Sequence, residues 1–532
     1  MTRRCASSHA MAWQLPELPG PGTASPSDAS AEDASADELG SDAQLSKVRA
    51  LADRISRMAI LRPEVLRVTA AHNAFSSCFA PLRPGERHFF EKSREASEID
   101  EFWSHSWQGR AWQKGLTLLV LNNGLIAICV GNFCALLGMV LFLLGVLPGF
   151  KRNLPDETES FAWSEAFGVV GTFLTLLFWR SRKKVFLDGI CISNTDMALK
   201  TEAICSLAGM LDKSRSMLVL WDVSFAERLW CIFEIAAFLK SKEGRRERRL
   251  VVCPTLTGPA SFAVTGMMMA TVAPLALVPQ SQNFFSLKLA GMLFACSLCG
   301  LASCHVFRGF YRSVETMQAQ LLSLQVTDLK CSCCSAGHVY PDGRRMICDR
   351  QVISECIAIW FGSTDDFVRC IRAEVVDVIT GQLEENAFSI AWSLAVNSPF
   401  LWAMLDMFQR DMSTSVATHF ALIRLFVGIS LMLLLCPMWT EWSKFLAYRL
   451  RHESSSWSGE LLRDVLMGLF ILPGILLAAG PFLIGYEVEA DWRKLAVFNC
   501  FTFAGWALAC SLHRHQRGYL SQFLTQRRSD SL

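Results

Sequence analysis

A surplus of either charge is missing from this chain. Its 532 residues carry 51 Lys and Arg against 49 Asp and Glu, a formal net charge of +2. The basic footprint that nucleic-acid binding leaves is therefore absent, and no nucleic-acid partner is expected. A secretory leader is missing as well: MTRRCASSHA has no apolar core directly behind its arginines. The 20 cysteines show no standard zinc spacing. No inverted repeat and no pair of broken apolar segments marks a transporter's binding site. Polar residues inside the apolar runs are few (Asn122, Asn123, Asn132, Asn397 and Arg424), which weighs against an ion or substrate path through them.

Apolar sequence is what the chain has in quantity. Hydrophobic residues make up 52% and the mean hydropathy is +0.29. Apolar runs close to the ~20 residues that cross ~30 Å of hydrocarbon lie at 118–147, 161–179, 261–278, 285–307, 388–405, 417–438, 465–484 and 495–512. Basic clusters (Arg180 to Lys184, Arg245 to Arg249, Lys444 to Arg451, Arg514 and Arg517) alternate with short loops poor in Lys and Arg. The positive-inside rule then places both termini and the polar segments in the cytosol, in an integral, multi-pass membrane protein with lipid as a partner. The expected order is a disordered N-terminal segment (1–45), a helical N-terminal region (46–96), an α/β piece (97–116) and a transmembrane hairpin insert (117–180). A second α/β piece (181–257), a second hairpin (258–308), a cytosolic Cys/His-containing helical module (309–386), about four transmembrane helices (387–512) and a basic tail (513–532) follow.

The α/β pieces carry the clearest local pattern. VFLDGICIS is an apolar, β-branched run, followed by Asn194-Thr195-Asp196 as a turn or helix cap. Residues 197–211 have helical spacing, 216–221 (MLVLW after Ser216) form a short buried strand, 227–239 a second amphipathic helix, and 250–253 a third strand. Strands and helices alternating at this length predict a parallel sheet with helices on its faces.

These residues also carry a resemblance. FLD…LVLWD…RLWCIFEIAAF is similar to the second half of a TIR (Toll/interleukin-1 receptor homology) domain. Trp230-Cys231-Ile232-Phe233-Glu234-Ile235 matches that family's W-C-x-x-E-[LI] helix start, and Ile99 to Ser106 (IDEFWSHS) resembles its first strand. The resemblance covers 97–114 and 182–254, a minority of the chain. It implies an α/β TIR-like (flavodoxin-like parallel sheet) domain combined with an α-helical multi-pass membrane region, with the membrane hairpin inserted after the first strand and helix. It further implies signalling by self-association, as a homo-oligomer or with other TIR domains. In TIR domains that hydrolyse NAD, the motif glutamate is the catalytic carboxylate, here Glu234. The loop after Asp188, ICISNTDMALK, departs from the family's glycine-containing loop, which puts carried-over contacts there in doubt.

The residues admit more than one reading at each site. Trp230, Cys231, Ala237 and Phe238 give Glu234 an apolar surround on a helix, so its carboxyl has a raised pKa or a buried partner. The partner would be Arg228 or Arg215, in an ion pair that pins the helix of a non-enzymatic scaffold. Trp103, Ser104, His105 and Ser106 end the first strand, and Asp188 the second; ligands of open α/β sheets sit beyond the carboxyl ends of strands. These residues and Trp230 are the candidate NAD contacts, with Trp103 as core and His105 as a turn residue being the plainer readings. Cys331, Cys333, Cys334, His338 and Cys348 are candidate zinc ligands, with free thiols or palmitoylated cysteines as the alternatives. A transporter or channel with a regulatory cytosolic domain would instead depend on residues such as Arg424.

Overall fold

The computed structural model of the chain describes residues 33–469, except 86–88, 152–158, 243–247, 278–281, 340–342, 344, 386–388, 414–417 and 455, with scattered positions between 493 and 511. These residues form two compact units. The first draws on Met1–Gly115, Arg180–Thr255 and Glu315–Gln382, the second on Leu116–Trp179, Leu256–Val314 and Leu383–Leu532.

The first unit is built on a six-stranded mixed sheet. Its strands in chain order are β1 (Arg67–Ala70), β2 (Arg94–Glu95), β3 (Ile99–His105), β4 (Lys184–Phe186), β5 (Ser214–Trp221) and β6 (Arg249–Pro254). In space they run β2-β1-β4-β3-β5-β6. β4, β3, β5 and β6 are parallel, with Phe102 opposite Phe186 and Met217, and Leu218 opposite Val251. β1 closes the sheet antiparallel to β4 through Thr69 and Val185, and β2 pairs antiparallel with β1. Taken as first to fourth parallel strands, β3 to β6 stand in the order 2-1-3-4, so the chain reverses its direction of winding between β3 and β5. β3 and β4 are neighbours although the chain enters the second unit between them.

Local chemistry explains where several elements are shorter than their apolar patterns. VFLDGICIS is extended only to Phe186; Asp188–Cys191 is a helical turn, started by Gly189 N–H donating to Asp188 Oδ1 at 2.7 Å. The helical stretch after Asp196 divides into Met197–Cys205 and Leu207–Asp212 around Ser206, whose hydroxyl accepts from Leu61 N at 3.1 Å. Asp196 is the expected cap, with Oδ1 accepting from Leu199 N at 2.9 Å. The N-terminal region is helical over Asp33–Ser56 and then turns to the strands β1 and β2, so the helix reaches into the segment that composition assigns to disorder and stops well before residue 96.

Two helices bring the 315–382 segment into this unit. Leu229–Lys242 packs beside Asp349–Phe361, with the Phe233 and Trp360 rings 5.6 Å apart. Trp360 Nε1 in turn donates to Ser56 O at 2.9 Å, and Cys356 lies against Ala52 O. Every residue of the Leu229–Leu239 run is buried, which is why its hydrophobicity runs all round rather than along one stripe.

The second unit is helical, with a short Phe150–Lys151/Glu159–Ser160 strand pair. Leu125–Leu143 and Trp163–Phe178 pack through small residues: Gly131, Ala135 and Gly138 are buried on the first helix, Gly168 and Thr172 on the second. A Cβ at Gly131 would stand 1.9 Å from Thr172 Oγ1, so the close approach needs glycine there. Trp402 is fully buried and donates to Asn132 Oδ1 at 2.8 Å. Asp406 accepts from the Ser164 and Glu165 N–H groups at 2.7 and 2.9 Å, capping the Trp163–Phe178 helix from another element. Large apolar side chains face outward here, among them Leu125 (71% exposed), Phe133 (67%) and Phe178 (71%).

Among the described residues, one helix, Ala111–Leu143, is long and apolar enough to cross a membrane; Trp163–Phe178 and Thr418–Leu434 are apolar but shorter. Eight spans were expected. The runs at 465–484 and 495–512 fall mostly outside the described residues, as does the side chain of Arg424. The run at 388–405 is divided by Asn397 into Ile390–Val396 and Ser398–Met412.

Candidate functional site

The winding reversal between β3 and β5 gathers polar side chains at the carboxyl ends of the parallel strands. β3 ends in Ser104, His105 and, just beyond, Ser106; β4 is followed by Asp188; β5 by Asp222 and Ser224; the Leu229–Lys242 helix supplies Glu234. Ser104 Oγ donates to Glu234 Oε2. That bond, with the Cys231 Sγ contact to His105 O at 3.8 Å, joins the two motifs of the sequence across the inserted segments. Ser224 Oγ donates to Ser106 Oγ at 2.7 Å, linking β3 to β5 at the reversal itself.

Four further residues complete the cluster without having been singled out as pocket residues from the sequence. Lys114 is fully buried and donates to Ser106 O at 2.9 Å and Leu82 O at 3.1 Å. Asp222 accepts from Ser224 N at 2.8 Å, while its Oδ2 is buried with no hydrogen-bond partner among the described residues. A Cβ at Gly109 would lie 1.8 Å from that oxygen, so only glycine lets the carboxylate approach the chain there. Arg228 acts on the Asp188 and Glu234 carboxyls through space; Ser224 Oγ lies within hydrogen-bond reach of Ser106 Oγ and Asp222 Oδ1. Lys114 was legible as a basic residue on the helix after the S-H-S strand, and Asp222 as the acid closing LVLWD.

Burial sets the protonation states. It pushes the Glu234 carboxyl up to about 8, against the opposing Ser104 hydrogen bond and with the nearby Asp188 charge adding to the rise. Burial likewise raises Asp188 to about 7, opposed by the Gly189 N–H, Lys114 and Arg228. The Lys114 ammonium is lowered by burial to about 8, with Asp222 and Asp188 resisting. His105 is held well below its usual range by burial and by the Lys114 and Arg228 charges, and its Nε2 has no partner among the described residues. Two acids and an amine thus change charge near neutral pH at the crevice position of an open α/β sheet, an arrangement suited to proton transfer. Glu234 is 9% exposed and Ser104 1%, so the carboxyl is covered in this conformation.

The other expected contacts lie elsewhere. The side chains of β3 alternate between the two faces of the sheet, and Trp103 stands opposite in sense to Ser104. Its Nε1 donates to Glu101 Oε2 at 2.7 Å, and Glu101 pairs with Lys183 at 2.8 Å. Trp230 Nε1 donates to Asp349 Oδ2 at 3.2 Å, away from Glu234. Arg215 pairs with Glu98 at 2.6 Å rather than with Glu234.

The second candidate site is the cysteine cluster. Cys333, Cys334, His338 and Cys348 bring one ligand atom each within 4.8 Å of one another, and Cys331, Cys333 and Asp349 form an overlapping group. Sγ–Sγ distances are 3.1 Å for Cys331–Cys333, 4.0 Å for Cys333–Cys334 and 3.8 Å for Cys334–Cys348. Cys348 directly precedes the Asp349–Phe361 helix, at its N-cap position. Its thiol is pulled down to about 4, first by its hydrogen bond with Cys333, and that of Cys331 to about 6 by the same neighbour. The Cys333 thiol is correspondingly raised.

No protein-family model, no curated protein and no solved structure matches the chain.

Proposed function

We propose that the chain is a multi-pass membrane protein that presents its α/β unit, TIR-like in its motifs and strand order, in the cytosol. It signals through self-association of that unit, and NAD cleavage to nicotinamide and ADP-ribose products at Glu234 is the activity of the assembled form. The Ser104–Glu234 hydrogen bond carries the reading: it brings the S-H-S strand end and the W-C-x-x-E glutamate together at the ligand position of the sheet. Glu234 as carboxylate would stabilise the ribose cation as nicotinamide departs, or engage the ribose hydroxyls. Asp188, Ser104 and Ser106 line the same strand ends. The outward Leu125, Phe133 and Phe178 support lipid contact by the second unit.

A scaffold without catalysis is the second reading, and the covered, proton-retaining state of Glu234 favours it. The two are separated by NAD consumption of detergent-purified full-length protein under crowding, wild type beside Glu234→Ala. Nicotinamide release by the wild type alone is the expected result. Release by the variant as well would remove Glu234 from catalysis. Concentration-dependent self-association with no release from either would establish the scaffold.

A further inference from the structure

We infer that Cys333, Cys334, His338 and Cys348 bind one zinc ion, and that the ion fastens residues 330–338 and 346–349 to the start of the helix that carries Glu234. The inference stands on the cysteine cluster and does not depend on NAD chemistry. With Zn–S bonds of ~2.3 Å, a tetrahedral site separates its sulfurs by ~3.8 Å. Cys334 lies 3.8 Å from Cys348 and 4.0 Å from Cys333, sulfur to sulfur, before any ion draws them in. Cys331 is only 3.1 Å from Cys333, too near to share a tetrahedron with it, so Cys331 is a neighbour and not a ligand. His338 Nε2 is buried with no hydrogen-bond partner among the described residues. The backbone N–H of Asp349 donates to Cys333 Sγ at 3.3 Å, the outer-shell support that a metal-bound thiolate receives. Three thiolates and an imidazole are a donor set of structural zinc sites and are poorly suited to magnesium and calcium, which take oxygen.

The segment between the ligands and the Glu234 helix is tied at several points. Lys330 N donates to Glu227 O at 2.6 Å, Leu229 N to Lys330 O at 3.2 Å, and Lys330 Nζ pairs with Glu227 at 2.6 Å. At the far end of the cluster, Asp349 receives the Trp230 indole N–H at 3.2 Å. Both flanks of the cysteine cluster therefore hold residues 227–230, the turn that enters the helix. A closed tetrahedral ion would make this a rigid clamp.

Full-length protein purified under reducing conditions, refilled with zinc and desalted, tests the site. About one zinc per chain is expected, retained in Cys331→Ala and absent from Cys334→Ser/Cys348→Ser. Wild-type protein stripped by a strong chelator and refilled with Co(II) avoids any folding failure of the variants, and should give the absorption of a tetrahedral, thiolate-rich centre. No zinc in the refilled wild type, zinc retained by the double variant, or an octahedral cobalt spectrum would each overturn the site. Stripping should also speed amide exchange over residues 227–235 by roughly tenfold or more while leaving 214–221 unchanged. Equal exchange in the stripped and filled protein would overturn the clamp.

Discussion

Replacing Glu234 by Gln should make the α/β unit more stable at alkaline pH and leave it unchanged at acid pH. The folded state holds the Glu234 proton until about 8, against an ordinary value of 4.5. A raised carboxyl pKa stabilises the fold fully below the unfolded value and loses that contribution as pH climbs through the folded one. Between roughly pH 5 and 8 the wild type therefore loses about 1.4 kcal/mol per pH unit from this group, and the total approaches roughly 4 to 5 kcal/mol. Glutamine keeps the shape of the protonated acid and has nothing to lose. The assay is hydrogen exchange of β5 amides such as Val219 and Leu220, compared between the two proteins at each pH so that intrinsic rates cancel. The ratio of protection, variant over wild type, should rise about tenfold per pH unit from pH 5 to 8. A ratio constant with pH would mean that Glu234 is ionised in the fold, and the covered, neutral carboxyl would have to be abandoned.

Two further substitutions test the second unit, both read by unfolding of detergent-solubilised full-length protein. Arg308 is fully buried between Asp464 (2.6 Å), Glu460 (2.9 Å) and Leu450 O (2.7 Å). Arg308→Met should cost about 3–5 kcal/mol by stranding the buried Asp464 carboxylate, with much of the loss recovered in Arg308→Met/Asp464→Asn; a loss below ~1 kcal/mol would refute the network's role. Asp406→Ala removes the cap on Ser164 and Glu165 N–H and should cost about 1–2 kcal/mol, with exchange of those two amides quickened before the rest. Unchanged exchange there would show that the cap is dispensable.

How much of this was legible in the sequence depends on whether a feature is local. β5 and β6 follow their apolar runs within a residue or two, because a strand buried on both faces must be continuously apolar. The Asp196 cap and the Leu229–Lys242 helix follow for similarly local reasons. β1 and β2 did not announce themselves. Arg67–Ala70 and Arg94–Glu95 are short; what makes the first a strand is the paired backbone of β4, supplied from more than a hundred residues away, and the second, at the edge, pairs only with the first.

The same distinction applies inside the site. Ser104, Asp188 and Glu234 were legible because each sits at the end of an element whose type the sequence shows. Trp230 turns toward Asp349 for an instructive reason: position on a helix gives the direction of a side chain only to within the neighbours it meets. The neighbour here, Asp349, follows the cysteine cluster, and no pattern near Trp230 points to it. The indole is thus committed to the 315–382 segment, and the helix that carries Glu234 has its first turn held from outside the two α/β pieces. Movement of that helix to uncover the carboxyl would have to break the Trp230–Asp349 bond and the Lys330 contacts to Glu227 and Leu229, whereas opening on the strand-end side would have to part Ser106 from Ser224.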